Sequence, residues 1–172
     1  MKRCRNSHAV NGFTLIELMT VVALLAILSA IAAPSLRTFI ESQRLRNASF
    51  DIVSDLLLAR SEALTRQTVV VVTPSGSDGV GWSGGWAINL VSSAGALVTN
   101  RTGVPSQLRF SVMNSSAAAQ GSLSFGMDGR IVGLTPMSIE VKYADPAPAG
   151  VSPSCVRIDA TGRPKVDKGA CS

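Results

Sequence analysis

A charge-free apolar run from Leu18 to Ala33 begins directly after a single carboxylate, Glu17. A helix from Phe13 to Pro34 would contain about 20 residues, which at about 1.5 Å per residue spans the hydrocarbon core of a bilayer. An ionised side chain placed there costs roughly 2.5–3.5 kcal/mol on insertion scales. Glu17 therefore requires a cationic partner. We expect this partner to be the α-amino group that a cut before Phe13 would create.

The segment before the apolar run is basic, with Lys2, Arg3 and Arg5. Basic flanks stay in the cytoplasm, so the chain after Pro34 is expected on the outer side of the membrane. Two other interpretations remain open. The segment can be a secretory signal peptide that is cut at the small residues 30–32, or a plain membrane anchor. Both leave the carboxylate unexplained.

Charge and cysteine content indicate the compartment. The formal net charge of +5 falls to about +2 without the three basic leader residues, which does not by itself indicate a nucleic-acid binder. Cys155 and Cys171 enclose a loop of ordinary length for a disulfide, which contributes roughly 3 kcal/mol in the chain-entropy model. Such a pair suits an oxidising compartment such as a periplasm. Two cysteines without histidine neighbours do not supply four zinc ligands, so we predict a disulfide and no metal site.

Catalytic groups are scarce in this sequence. The only histidine, His8, lies in the leader, so the mature chain would contain no Ser-His-Asp or Cys-His arrangement. We therefore predict that the chain is not an enzyme and has no cofactor. A periplasmic enzyme that follows a cleaved signal peptide remains an alternative. Its mature N-terminus would lie near Ala33 or Pro34.

The apolar pattern predicts a long helix followed by a β domain. Apolar residues recur at spacings of three or four past Pro34 to about residue 67, and short β-branched segments separated by turns follow. Because these segments are close in sequence, they favour antiparallel pairing. The predicted fold class is α+β, with a leader at 1–12, a membrane or filament half of the helix at 13–34, an amphipathic half at 35–67 after a kink near Pro34, and an antiparallel β head at 68–172. The predicted strands are Thr68–Thr73, Gly84–Val91, Leu97–Thr99, Gln107–Val112, Ser122–Gly126, Ser138–Tyr143 and Cys155–Ala160.

The segment from Gly12 to Glu17, together with Pro34, resembles the class III signal of type IV pilins and of the pseudopilins of type II secretion. The resemblance implies that a prepilin peptidase cuts between Gly12 and Phe13 and methylates the new amine of Phe13. It also implies that Glu17 neutralises this amine on a neighbouring subunit. The implied location is the bacterial inner membrane, with one span and a periplasmic head, followed by assembly with other pilins or pseudopilins.

The second half resembles the FimT/GspH family of minor pilins and pseudopilins. Trp82–Ile88 is similar to its W-x-x-G-W element, and the helix end Ala59–Ala63 before the valine strand also fits. The tail Thr161–Lys165 resembles the G-R-x-R signature of FimT, with Lys165 in place of the last arginine. The resemblance implies either a minor pilin that takes part in pilus assembly and in DNA uptake during natural transformation, or a structural pseudopilin of type II secretion.

The basic tail supplies the candidate DNA-binding residues. A guanidinium and an ammonium group beside a glycine suit phosphate oxygens, because backbone amides can also approach. Binding to double-stranded DNA would be weak, non-specific and steeply salt-dependent, without base readout. From charge alone, a solvated edge clamped by the disulfide explains the tail more simply. Trp82 and Trp86 could stack on bases, although a core position is the more common role for such a pair. The candidate DNA-binding residues are Arg157, Gly162, Arg163, Lys165 and Lys168.

Overall fold

The computed structural model describes residues 13–76, 81–91, 95–114, 121–133 and 135–171. Within these residues, the helix α1 extends over Leu15–Arg66, and a 3-10 turn covers Trp82–Gly84. This order of elements confirms the predicted α+β class. The predicted leader at 1–12 lies outside the described residues. The strands are β1 (Val70–Pro74), β2 (Trp86–Leu90), β3 (Leu97–Arg101), β4 (Leu108–Asn114), β5 (Leu123–Phe125), β6 (Met137–Tyr143), β7 (Ser154–Ile158) and β8 (Pro164–Lys168).

The strands form two antiparallel sheets of four strands each. The first sheet has the order β3-β2-β1-β5 and the second has the order β4-β6-β7-β8. The 3-10 turn shields one edge of the second sheet, since the N–H of Phe110 on β4 donates to the Ser83 hydroxyl at 3.2 Å. The opposite edge of that sheet is β8.

The chain separates into two compact units, one that ends at Arg37 and one that spans Thr38–Ser172. In the first unit, the helix over Leu15–Ala33 is long and apolar enough to cross a membrane, judged by length and composition. None of this stretch is buried within the protein. These properties match the span predicted from the sequence.

The second unit contains the hydrophobic core. One face of α1 is buried, and its members are the residues at spacings of three and four that the sequence predicts. The small side chains of Ala59 and Ala63 are fully covered, so the helix backbone comes close to the sheets there. The buried helix residues are Leu45, Ala48, Ile52, Leu56, Ala59 and Ala63.

The two tryptophans are core residues. Trp82 is 0% exposed and Trp86 is 1% exposed, with ring centroids 6.3 Å apart. Base stacking requires an accessible ring face, so the possibility that these rings stack on nucleic acid is wrong. The first tryptophan belongs to the 3-10 turn and only the second to a strand, because Gly85 takes a positive φ of 106° between them.

An ion pair between a buried carboxylate and a partly exposed arginine joins α1 to the first sheet. The Asp55 carboxylate accepts hydrogen bonds from Arg101 Nε at 2.7 Å and Nη2 at 2.9 Å, and from Trp86 Nε1 at 2.9 Å. The hydrogen bond to Asp55 raises the pKa of the Arg101 guanidinium, and the nearby charges of Asp55 and Asp51 add to this effect. The aspartate is nearly covered, so its charge is balanced by directed donors instead of water.

The tail after β7 forms a strand, whereas the last strand predicted from the sequence ends at Ala160. β8 pairs with β7 along its whole length, from Ser154 opposite Lys168 to Ile158 opposite Pro164. The sequence signal is weak because β8 is an edge strand with charged residues on its outer face. Val166 is its only aliphatic side chain, too few for an apolar alternation to be recognised.

The only tyrosine provides a spectroscopic probe of the helix-to-sheet contact. The Tyr143 hydroxyl at the end of β6 donates to the Glu41 carboxylate on α1, and the ring is 7% exposed. Burial, followed by the hydrogen bond to Glu41, raises the pKa of Tyr143 to about 12.

We therefore expect the phenol of the folded chain to ionise near pH 12, against about pH 10 in denaturant. Between these values the unfolded chain loses the proton first, so the free energy of unfolding falls as the pH rises. Absorbance of tyrosinate, with near-ultraviolet circular dichroism as the check of folding, measures the midpoint. Glu41→Gln should lower it, and a midpoint near 10 in the folded chain would contradict the contact.

Candidate functional site

The start of α1 contains the residues predicted to direct processing and assembly. Phe13 is 82% exposed, and the N–H of Glu17 donates to the Thr14 hydroxyl at 3.3 Å. Thr14 thus caps the helix, and Glu17 lies in its first turn, where the helix dipole favours a carboxylate. Gly12, the residue on the other side of the predicted cut, lies outside the described residues.

The predicted DNA-binding residues lie on a hairpin, β7–β8, which we call the basic hairpin (Ser154–Lys168). Arg157 on β7 lies directly opposite Lys165 on β8, so both occupy the outer face of the second sheet. Lys168 is opposite Ser154 and, by strand alternation, lies on the inner face toward α1. The structure therefore brings Arg157 and Lys165 together and separates Lys168 from them.

The turn of the basic hairpin is held by Asp159. Its Oδ1 accepts hydrogen bonds from the Thr161 hydroxyl at 2.5 Å and from the N–H of Arg163 at 3.0 Å. These donors, the Thr161 hydroxyl foremost, lower the pKa of the Asp159 carboxyl. The carboxylate is thus occupied within the turn and fixes the backbone that presents Arg163.

Gly162 shapes this turn. It has a φ of +77° and is buried, and a Cβ at its position would lie 2.3 Å from the carbonyl oxygen of Gly129. Its N–H already donates to the Asp159 carbonyl at 2.9 Å. Gly162 therefore allows the hairpin to pack against the Gly129 turn, which also accepts from Arg60 Nε at 3.0 Å. Its amide is not open to a phosphate.

The cations of the basic hairpin differ in how far they are neutralised. Asp167 lies 3.1 Å from Lys165 Nζ and 3.8 Å from Arg157 Nη1. Within the described parts of the chain, Arg163 and Lys168 form no ion pair. The Lys165 side chain is 77% exposed, so its head group remains open to solvent while it faces Asp167.

A disulfide fixes the end of the chain over the outer face of this sheet. The sulfurs of Cys155 and Cys171 are 2.01 Å apart, and Cys155 is buried. The N–H of Cys171 donates to Glu140 Oε2 at 3.1 Å, and the N–H of Gly169 donates to the Pro153 carbonyl at 2.8 Å. The segment after β8 is therefore tied to β7 and to β6.

Two further cations that were not predicted from the sequence lie on the outer face. Arg109 on β4 lies opposite Lys142 on β6, on the same face as Arg157 and Lys165 but displaced along the strands, because Arg157 lies opposite Ser138. Lys142 Nζ is 3.1 Å from Glu140, and Arg109 donates to the carbonyl oxygen of Ser106 at 2.7 Å. The alternation of charged and apolar residues along each strand indicates that these cations share the outer face, and it could have been used to predict them. In the described segments, no group of metal-binding side chains is present.

Comparisons with known proteins place these features in a family. The model of the family described as Type II transport protein GspH matches residues 48–162, and the prokaryotic N-terminal methylation motif matches residues 7–33. A search of curated protein sequences finds no match.

Two solved structures share the fold. The type IV minor pilin FimU of Pseudomonas aeruginosa covers 75% of this chain and 92% of its own, with 21% identity and a TM-score of 0.57. The minor pseudopilin EpsH from the Type 2 Secretion System of Vibrio cholerae covers 75% of this chain and 98% of its own, with 12% identity and a TM-score of 0.55. Because the GspH model spans most of the chain, this protein belongs to the GspH family of type IV pilin-like minor pilins and pseudopilins.

Proposed function

We propose that this chain is a minor pilin of a type IV pilus whose basic hairpin binds double-stranded DNA weakly and without sequence preference, as a step in DNA uptake. The observation that carries the proposal is the placement of Arg157, Arg163 and Lys165 on an exposed edge hairpin that is tied by the disulfide and by the hydrogen bonds of Asp159. A cation on a fixed turn loses less conformational freedom on binding than one on a fraying terminus.

The chemistry of the basic hairpin suits phosphate better than bases. Arg163 offers a planar guanidinium for bidentate contact, and Lys165 offers a point charge beside it. The outer face of a sheet offers no helix that could enter a major groove. With about three phosphate contacts, the logarithm of affinity should fall with the logarithm of salt concentration at a slope of about −3.

Processing and assembly form the second part of the proposal. A prepilin peptidase cuts between Gly12 and Phe13 and methylates Phe13, and Glu17 then neutralises this amine on an adjacent pilin. The apolar stretch Leu15–Ala33 would hold the chain in the inner membrane before assembly, with its head in the periplasm. Support comes from the match to the methylation motif and from the position of Glu17 in the first helical turn.

Replacement of Arg163 and Lys165 with alanine should lower duplex affinity at least tenfold at low salt and reduce the salt slope by about 2. Anisotropy of a labelled duplex with the full chain in nonionic detergent measures both quantities. The paired substitution of Arg109 and Lys142 is the matched control, since these cations lie on the same face of the same sheet but outside the basic hairpin. Equal binding by the hairpin variant and the unchanged chain would refute the hairpin's role.

Asp167 provides a test of opposite sign. Asp167→Asn removes the carboxylate that faces both Arg157 and Lys165, so duplex binding should tighten severalfold.

The second candidate function is a structural minor pseudopilin of type II secretion, and the same ion pairs favour it because they neutralise the outer face. That candidate predicts no DNA affinity in either variant and association with other pseudopilins instead.

A further inference from the structure

A groove lies between α1 and the inner face of the basic hairpin. It encloses about 250 Å³, with Leu45, Arg46 and Phe50 on the helix side and Val166 and Lys168 on the hairpin side. Three serines and Pro153 complete its lining. All of these residues are described, and the groove lies wholly within the second compact unit.

Two cations in this groove have no partner in the part of the chain that the structure describes. Neither Arg46 nor Lys168 makes an ion pair or a side-chain hydrogen bond there, and no carboxylate lines the groove. The contrast with the neighbouring cations is clear. Arg44, two residues from Arg46, pairs with Glu41 at 3.3 Å, and Lys165 on the other face of β8 pairs with Asp167 at 3.1 Å. Arg46 and Lys168 are both exposed, so their charges are available to an anion from outside the described chain.

An aromatic ring accompanies these charges. Phe50 is 55% exposed and lies outside the buried core, unlike Trp82 and Trp86. A flat apolar ring beside two cations matches a ligand that combines an aromatic face with a negative group. Nucleotides have this composition, and stacking on an aromatic side chain is tolerant of base identity.

We propose that this groove binds one nucleotide of a single-stranded nucleic acid, with the base on Phe50 and its phosphate at Arg46 and Lys168. The inference rests on the proposed nucleic-acid binding of the hairpin. It adds that the protein prefers a single strand to a duplex. A duplex hides the faces of its bases, so it cannot offer a ring to Phe50. The volume of about 250 Å³ lies just below the range of roughly 300–1,000 Å³ for drug-sized sites, which limits the ligand to about one base and phosphate.

The topology allows one strand to reach both surfaces. β8 is the outer edge of its sheet, so a flexible strand can contact Arg163 and Lys165 on one side and pass around the edge to Lys168. A stiff duplex on the outer face cannot follow this path. Single-stranded DNA should therefore bind more tightly than a duplex of the same length.

The test compares labelled oligothymidine with a duplex of equal length, by anisotropy on the full chain in nonionic detergent. Phe50→Ala should weaken single-strand binding about tenfold and leave duplex binding unchanged. The double change Arg46→Ala and Lys168→Ala should weaken single-strand binding to at least the same extent. Leu57→Ala is the control for Phe50, being 46% exposed on the same helix outside the groove, and Arg44→Ala is the control for Arg46.

Four outcomes separate this inference from the proposed function. Selective loss of single-strand binding in Phe50→Ala, with both controls unchanged, supports it. Unchanged single-strand binding in Phe50→Ala, with binding lost when Arg163 and Lys165 are replaced, overturns the inference and leaves the proposed function standing. No binding of either probe by the unchanged chain overturns both. If Phe50→Ala alters association between copies of the chain but not oligonucleotide binding, the groove is a protein contact and the inference is wrong.

Discussion

Replacement of Asp55 with alanine is expected to lower the free energy of unfolding by about 2–4 kcal/mol, the largest effect that we predict for a single substitution. The change removes the acceptor for two hydrogen bonds from Arg101 and one from the Trp86 indole. The indole is buried, so its N–H cannot turn to water. The guanidinium, which is 35% exposed, loses both of its hydrogen bonds to Asp55 and keeps Asp51 at 3.8 Å.

Urea denaturation of the full chain in nonionic detergent measures this loss. The chain has only two tryptophans, both in the core, so their fluorescence follows the same unfolding event. Asp51→Ala is the matched control, because its carboxylate is 56% exposed and 3.8 Å from the same arginine, and it should change stability by less than about 1 kcal/mol. A cost for Asp55→Ala that does not exceed this control would show that the ion pair does not join α1 to the first sheet.

Reduction of the disulfide between Cys155 and Cys171 should lower the free energy of unfolding by about 3 kcal/mol. The cysteines are 16 residues apart, and the cross-link limits the unfolded chain to conformations that close this loop. Cys155 is buried opposite Asp167, so the loss should be greatest at the edge formed by β7 and β8. Denaturation with and without a phosphine reductant measures the difference, and hydrogen exchange locates it.

A chain with alanine at both cysteines is the control for reductant effects elsewhere. It should have the stability of the reduced chain and should not respond to reductant. Equal stability of the oxidised and reduced chains would contradict the stabilising role of the cross-link. It would also remove the main reason to regard the basic hairpin as a rigid element.

Periodicity in the sequence was sufficient to predict the helix face. Ile52 and Ala59 lie seven residues apart, at positions that meet the same side of a helix, and both are completely buried. The same reasoning identified most strands because their apolar residues alternate with polar ones. This reasoning did not identify β8, because an edge strand buries little apolar surface and needs few apolar side chains.

The ion pair of Asp55 with Arg101 could not be predicted from local patterns. The two residues are 46 positions apart, and only the packing of α1 on the first sheet brings them together. The helix pattern alone predicts that the Asp55 carboxylate faces solvent, as that of Asp51 does. Contacts of this kind depend on tertiary geometry, which one sequence does not report.

The sequence was sufficient to predict which residues form the candidate binding site, but not on which face of the sheet each of them lies. Lys165 and Lys168 are three positions apart, so in a strand they lie on opposite faces, and a loop interpretation does not separate them. The structure assigns the first to the outer face and the second to the groove beside Phe50. Strand alternation, once β8 is recognised, accounts for this division.

The N-terminus of the mature protein tests the central claim, that this chain is processed as a pilin-like filament subunit. Intact mass and sequencing of the N-terminal peptide, after expression with a prepilin peptidase, give the result directly. We predict a chain that begins at Phe13 and carries one added methyl group on its amine. A mature N-terminus near Ala33 or Pro34, or a chain that keeps its leader, would contradict the claim.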